Sequence, residues 1–323
     1  MMTVSVSSWI WSSACNNNMM EPIYLYTENF FTLPKFKALT KRLMGRGFGG
    51  PLAVERSLLR GLSKLGVPFL VNSRSEKIKI ACVLSGVATL RWAILEKQKG
   101  NIQKIIAGPN ISMPLEADGI IFNKNIDIFL VPSPWVADFC DSFRPGFKSK
   151  VKIWAAGLDT LPTVPGSRQG CVIFQKDTNG QVFLSVQGAL KQKNINYKVV
   201  RYGSFKREDY LRLLSRSRFL VYLSSSESQG LVLHEAWMMD VPTLVFNGGH
   251  LKNGSYEFLG SSSAPYLTPE TGMFFSSAEE FALRLDGFLS KLGQFQPRQY
   301  HLNNFTDEVC AKKFLEVVNE LSD

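Results

Sequence analysis

Histidine is scarce in this chain. There are three, His234, His250 and His301, and none forms an HExxH arrangement. No Cys/His cluster has zinc spacing either, so the sequence carries no zinc-site signature. The five cysteines (Cys15, Cys82, Cys140, Cys171 and Cys310) are scattered, odd in number and without a CxxC. They read as reduced, mostly buried thiols rather than a disulfide framework. No P-loop and no Gly-x-Ser-x-Gly occurs, and Ser224, Ser225 and Ser226 have no histidine at a recognisable triad position. Asp-x-Asp is absent as well. No run of about 18 uninterrupted apolar residues exists, so nothing in the sequence reads as a membrane span.

What is present is the composition of a folded protein, 45% hydrophobic and 20% charged over 323 residues. That length allows two domains with ample core. The net charge of +10 points to an anionic partner, although a generally basic surface accounts for charge alone equally well. Residues 1–21 contain Trp9, Ile10 and Trp11 but no basic n-region, and their apolar run is too short for a signal peptide. They read as a disordered segment, with Met19 and Met20 as further usable starts.

The most informative stretch is Ser224 to Phe246. Before it, Phe219-Leu220-Val221-Tyr222-Leu223 reads as a fully buried parallel strand. Gly230 opens a helix whose apolar members include Leu231, Leu233, Ala236 and Trp237. Asp240-Val241-Pro242 ends it, since proline disfavours helix in the residue before it. Thr243–Phe246 is a second buried strand, which completes a unit of a doubly wound α/β fold. The amides around Gly230, Leu231 and Val232 then lack helical partners and face an anion. Glu227 lies on the loop before them and Glu235 eight residues on, in the second helical turn. Carboxylates accept hydrogen bonds from vicinal hydroxyls. A nucleotide-sugar, with hydroxyls on both sides of a diphosphate, fits such an arrangement. The plainer alternative is a surface Glu227 and a helix-solvating Glu235, and neither residue is expected in the core.

Glu-x7-Glu, the serines, the glycine and the proline occur in the order found in the retaining glycosyltransferases of the GT-B fold. The chain resembles that group, especially its family 4. The resemblance implies two Rossmann-like doubly wound domains facing across a cleft. It implies that Glu227 faces the donor sugar, that Ser228, Gln229, Gly230, Leu231 and Val232 meet sugar and phosphate oxygens, and that Glu235 holds the ribose hydroxyls. The family places an arginine and then a lysine on the diphosphate. Here Lys176 stands in the arginine's place, Gln181 near the lysine's, and Arg201 is a further candidate cation. Glu227 and Lys176 are the expected catalytic pair. The missing Asp-x-Asp sets the chain apart from the metal-dependent GT-A enzymes, so no metal and no other cofactor is expected.

The resemblance covers residues 161–323 well and 22–160 in outline. Short apolar runs at 23–26, 68–71, 78–84, 105–107, 120–122, 128–131 and 151–154 read as strands of an acceptor domain, 22–160. Gly47-Phe48-Gly49-Gly50-Pro51 opens a helix, and Gly49 and Gly50 resemble the family's glycine loop at the reaction centre. Gly157-Leu158-Asp159 resembles the Gly-x-Asp that closes the family's first domain. The Pro- and Gly-rich residues 160–170 are the linker to a donor domain, 161–305. A terminal helix within 306–323 is expected to cross back onto the first domain. Residues 34–47 are basic among apolar positions, a pattern that fits an anionic bilayer, an acidic acceptor or an ordinary solvated helix.

The expected function is transfer of a sugar from a UDP- or GDP-sugar to a glycan, lipid or other hydroxyl with retention. The expected partners are a nucleotide-sugar and an acceptor glycan or lipid-linked sugar, with no nucleic acid. The expected location is the cytoplasm, with peripheral contact at the inner membrane face left open. Two alternatives remain: a nucleotide-sugar-binding module without turnover, and a GT-B epimerase or phosphorylase.

Overall fold

The computed structural model describes residues 21–31, 50–162, 166–176 and 180–322. Gly49, the basic stretch 34–47 and residues 1–20 lie outside them. Within the described residues the chain builds two parallel sheets in succession. The first contains β1 (Ile23–Tyr26), β2 (Phe69–Val71), β3 (Ile78–Ser85), β4 (Ile102–Asn110), β5 (Ile128–Val131) and β6 (Val151–Ile153), in the order β2-β1-β3-β4-β5-β6. Its helices are α1 (Gly50–Lys64), α2 (Val87–Gln98) and α3 (Pro134–Phe143).

The second sheet contains β7 (Cys171–Gln175), β8 (Tyr197–Arg201), β9 (Phe219–Leu223), β10 (Thr243–Phe246) and, beyond a hairpin of β11 (His250–Asn253) and β12 (Tyr256–Leu259), β13 (Gly272–Phe275). Its order is β13-β10-β9-β7-β8. Around it lie α4 (Gly180–Gln192), α5 (Arg207–Ser215), α6 (Leu231–Met238), α7 (Ala278–Ser290) and α8 (Pro297–Asn304). The last helix, α9 (Asp307–Glu320), returns to the first sheet. None of the helices among the described residues is long and apolar enough to cross a membrane.

The strands form because both their faces are covered. In β7 and β9, Val172, Phe174, Leu220 and Tyr222 pack with α5 and α6, while Cys171, Ile173, Val221 and Leu223 pack with α4 and α7. Such two-sided burial gives near-continuous apolar runs rather than alternation. The first sheet is covered the same way. Leu25, Cys82, Ile106 and Leu130 pack with α1 and α9, and Tyr26, Val83, Ala107 and Val131 with α2 and α3. Gly61 of α1 and Gly157 both lie against α9. A Cβ at Gly61 would stand 2.2 Å from the Asp307 carbonyl oxygen, and one at Gly157 would stand 2.6 Å from Asp307 Cα.

One sequence expectation changes and one element is added. Ile120–Phe122 is not a strand but the end of a 3₁₀ helix, Ala117–Phe122. Asp118 and Gly119 take positive φ, 59° and 63°, which turns the backbone while Ile120 and Ile121 still bury their side chains. The hairpin β11–β12 is an addition to the sequence reading, although its two-residue loop Gly254-Ser255, between paired Asn253 and Tyr256, carries a signal. Its Leu251, Tyr256 and Phe258 pack with Phe139 and Phe143 of α3, so the hairpin ties the second domain to the first.

Each sheet reverses direction between its first and third strands: β1 beside β3, and β7 beside β9. At such a switch point the loops leave to opposite sides and open a crevice outside the carboxyl ends of the strands.

Candidate functional site

The switch point of the second sheet brings together the two segments singled out in the sequence. Lys176 is the first residue past β7, and its amide donates to the Leu223 carbonyl at 2.9 Å. The loop after β9 is laced in place: the Glu227 amide donates to Ser262 O at 2.8 Å, and Ser263 Oγ to Ser224 O at 2.7 Å. From the first domain, Trp135 Nε1 donates to the Glu227 carbonyl at 2.8 Å and the Tyr266 hydroxyl reaches back to Pro132 O at 2.6 Å. The Glu227 loop therefore sits at the junction of the two domains.

Gly230 caps α6 at φ 85°, a conformation that a side chain would strain. The first helical bonds come from Leu233 and His234, both to Gly230 O, at 2.9 and 3.3 Å. The amides of Gly230, Leu231 and Val232 make no hydrogen bond among the described residues, as the first amides of a helix do when nothing caps them. Tyr210, fully buried, donates to Val232 O at 3.0 Å and fixes this end of the helix from α5.

Both glutamates are held by cations. Lys176 Nζ lies 2.9 Å from Glu227 Oε1 and also 5.3 Å from the Tyr202 ring centroid. Arg207 Nε pairs with Glu235 Oε1. Glu235 is not a solvated helix residue, being 8% exposed. Burial pushes its carboxyl above the usual range, and the Arg207 guanidinium opposes that shift. Each carboxylate is thus matched by one cation, with the amides at the start of α6 between the two pairs.

The remaining expected residues fall as follows. Ser228 is exposed on the loop. The Gln229 side chain is buried and spent on the first domain, accepting from the Ala156 amide at 3.0 Å and donating to its carbonyl at 2.6 Å. It is a strap between domains rather than a side chain turned to the crevice. Arg201 ends β8, exposed and without an ion pair among the described residues. Gly50 is the first residue of α1 and exposed, and Pro51 the second. Gln181 lies in the first turn of α4. No group of three or more His, Cys, Asp or Glu among the described residues is placed to hold a metal ion.

Sequence reading missed Arg207. Its signal was a positive charge in the first turn of a helix, where the dipole disfavours it unless a carboxylate compensates. The adjacent His234 is structural, as its place on another face of the helix from Glu235 implies. That side chain is fully buried against His301, with ring centroids 5.3 Å apart, and burial depresses both imidazoles, His301 to about 3.

The fold is GT-B: two Rossmann-like domains face each other, joined at the Glu227 loop and by the returning α9. Similar solved structures share it. The lipopolysaccharide outer core galactosyltransferase WaaB, in its apo form, matches with a TM-score of 0.60 and 11% identity over 93% of this chain and 99% of that one. TarM matches with a TM-score of 0.52 and 14% identity over 81% of this chain, which spans 57% of TarM. The catalytic domain of starch synthase IV from Arabidopsis thaliana, bound to ADP and acarbose, matches with a TM-score of 0.50 and 11% identity, covering 85% of this chain and 79% of that one. At these identities the likeness is one of fold. A scan of protein-family models finds no match, and a search of curated proteins finds none.

Proposed function

We propose that the chain transfers a sugar from a nucleotide-sugar, UDP- or GDP-linked, to a hydroxyl of a glycan or lipid-linked acceptor, with retention and without a metal ion. One observation carries this reading. Three amides at the start of α6, unbonded among the described residues, lie between Glu227 and Glu235, each glutamate paired with a cation, at the switch point facing the first domain. The amides and Lys176 would receive the leaving diphosphate, and their fixed dipoles need no reorganisation as its charge develops. Glu235 would accept the ribose hydroxyls and Glu227 a hydroxyl of the sugar. The first domain would present the acceptor, and positioning supplies the rest of the rate. The glycosyltransferases among similar folds, one of them solved with ADP and acarbose, support a nucleotide and a glycan as the ligand classes.

The test is incubation with UDP-, GDP- and ADP-sugars, with and without EDTA, following release of nucleoside diphosphate. Slow hydrolysis that EDTA leaves unchanged is expected, with one donor preferred. Activity abolished by EDTA and restored by Mn²⁺ would refute the metal-free mechanism. Binding without any turnover would favour a nucleotide-sugar-binding module instead. The observation on that side is that both cations are already neutralised by glutamates.

A further inference from the structure

β9 is a strand of five buried residues, four of them aliphatic or phenylalanine, and the fifth is Tyr222. Tyr222 is 1% exposed, and its ring stacks on Phe174 with centroids 5.4 Å apart and planes 20° apart. Phenylalanine would fill that space. A buried phenol hydroxyl costs free energy unless it finds a partner. Here it finds Glu227, donating to Oε1 at 2.5 Å. Lys176 donates to the same oxygen at 2.9 Å, and Ser224 Oγ, whose proton serves Ser226 O at 3.0 Å, stands 3.3 Å from it. No group among the described residues donates to Glu227 Oε2. The backbone of Glu227 is fixed at both ends, by Ser262 O and by Trp135 Nε1.

We propose that Tyr222 is a positioning residue. It anchors Oε1 of Glu227 so that Oε2 alone is presented as acceptor for one hydroxyl of the donor's sugar. The inference rests on the glycosyl-transfer reading above and adds to it. A diphosphate draws Lys176 away from Glu227, because the cation is then shared between two anions. The Tyr222 hydroxyl is uncharged and its ring is buried against Phe174, so the carboxylate keeps this bond and its orientation when the lysine moves. A single free carboxylate oxygen accepts a hydroxyl and repels an acid group. The sugar unit is therefore neutral and unsubstituted at the hydroxyl that Glu227 meets.

Tyr222→Phe tests this, because it keeps the ring and removes one oxygen. In the ligand-free protein, the carboxylate stretch of Glu227 is isolated as the infrared difference between wild type and Glu227→Gln. That band should shift in Tyr222→Phe. Turnover of the full donor should fall about tenfold, roughly 1.4 kcal/mol, while nucleoside diphosphate affinity stays within about twofold. In the Glu227→Gln background the same change should cost less than about twofold, because its effect runs through Glu227. An unmoved band in an active enzyme, an equal loss in both backgrounds, or a loss of nucleotide affinity matching the loss of turnover overturns the inference. A band that shifts in Tyr222→Phe, when wild type turns over no donor, instead overturns the transfer reading, while the Tyr222 anchor stands. If Tyr222→Phe fails to fold, 3-fluorotyrosine at position 222 keeps the hydroxyl as a stronger donor, and the band should shift the opposite way.

Discussion

Glu235→Gln separates a ligand-holding carboxylate from a structural one. Glu235 is 8% exposed, and its partner Arg207 keeps 48% of its side chain in solvent. Glutamine preserves the volume and one acceptor but removes the charge. Two effects on stability then oppose each other. Relief of the burial penalty favours the variant, and loss of the ion pair with a half-exposed guanidinium disfavours it. A pair so open to solvent contributes about 0–1 kcal/mol, so the melting temperature should move by less than about 4 °C. Binding should respond more. Losing a charge-assisted bond to a ribose hydroxyl costs about 1–3 kcal/mol, or about 5–150-fold in affinity for a nucleoside diphosphate.

Acid adds a check of sign. The folded carboxyl titrates above its ordinary value, so between that pH and about 4.3 the folded state holds the extra proton. Wild type should therefore gain stability relative to Glu235→Gln as pH falls through the raised folded pKa, and the gain should level off below about pH 4.3. Calorimetry with UDP, GDP and ADP, beside melting curves, measures all of this. An affinity within about twofold of wild type, with the fold intact, would show that Glu235 is not on the nucleotide. A melting temperature lowered by more than about 8 °C would make it a strut instead.

Lys176→Ala should weaken nucleoside diphosphate binding by about 1.5–3 kcal/mol and leave the free nucleoside nearly unaffected; equal loss of both in titration calorimetry would place Lys176 off the phosphates. His234 and His301 are buried and depressed, so the unfolded chain takes up protons below about pH 6.5 while the folded chain does not until far lower, about 3 for His301. Stability should thus fall on acidification by about 1.4 kcal/mol per pH unit for each histidine, and His301→Phe should remove one such share from urea midpoints taken at about pH 7, 6 and 5. Gly61→Ala should cost about 1–3 kcal/mol in urea unfolding, because its Cβ would stand 2.2 Å from Asp307 O and 2.6 Å from Ala311 Cβ and force α1 from α9.

Much of the architecture was legible because it is local. Phe219–Leu223 and Thr243–Phe246 are strands to the residue, and a helix runs between them after Gly230, because apolar runs, a glycine and a proline bias the backbone within a few residues. Ser277 Oγ accepts from the Glu280 amide at the start of α7, a local cap of the kind serine forms three residues before a glutamate, and the Glu280 carboxylate accepts from the Ser276 amide and hydroxyl. Ile120–Phe122 misled because three apolar residues look alike in a strand and in a buried 3₁₀ turn; the positive φ at Asp118 and Gly119 decides between them.

The sequence by itself determined the strands and the helix of the Phe219–Phe246 unit, and that two glutamates flank the start of that helix. Spacing could not say what each glutamate touches. Arg207 lies 28 residues before Glu235, on another helix, and the two meet only because α5 and α6 pack side by side over β7 and β9. Lys176 lies 51 residues before Glu227 and meets it because β7 and β9 are neighbours in the sheet. Trp135 arrives from the other domain, 92 residues away. Backbone propensity is set by near neighbours along the chain, whereas a carboxylate's partners are set by which strand ends the sheet order brings together, and that order is a property of the packed core alone.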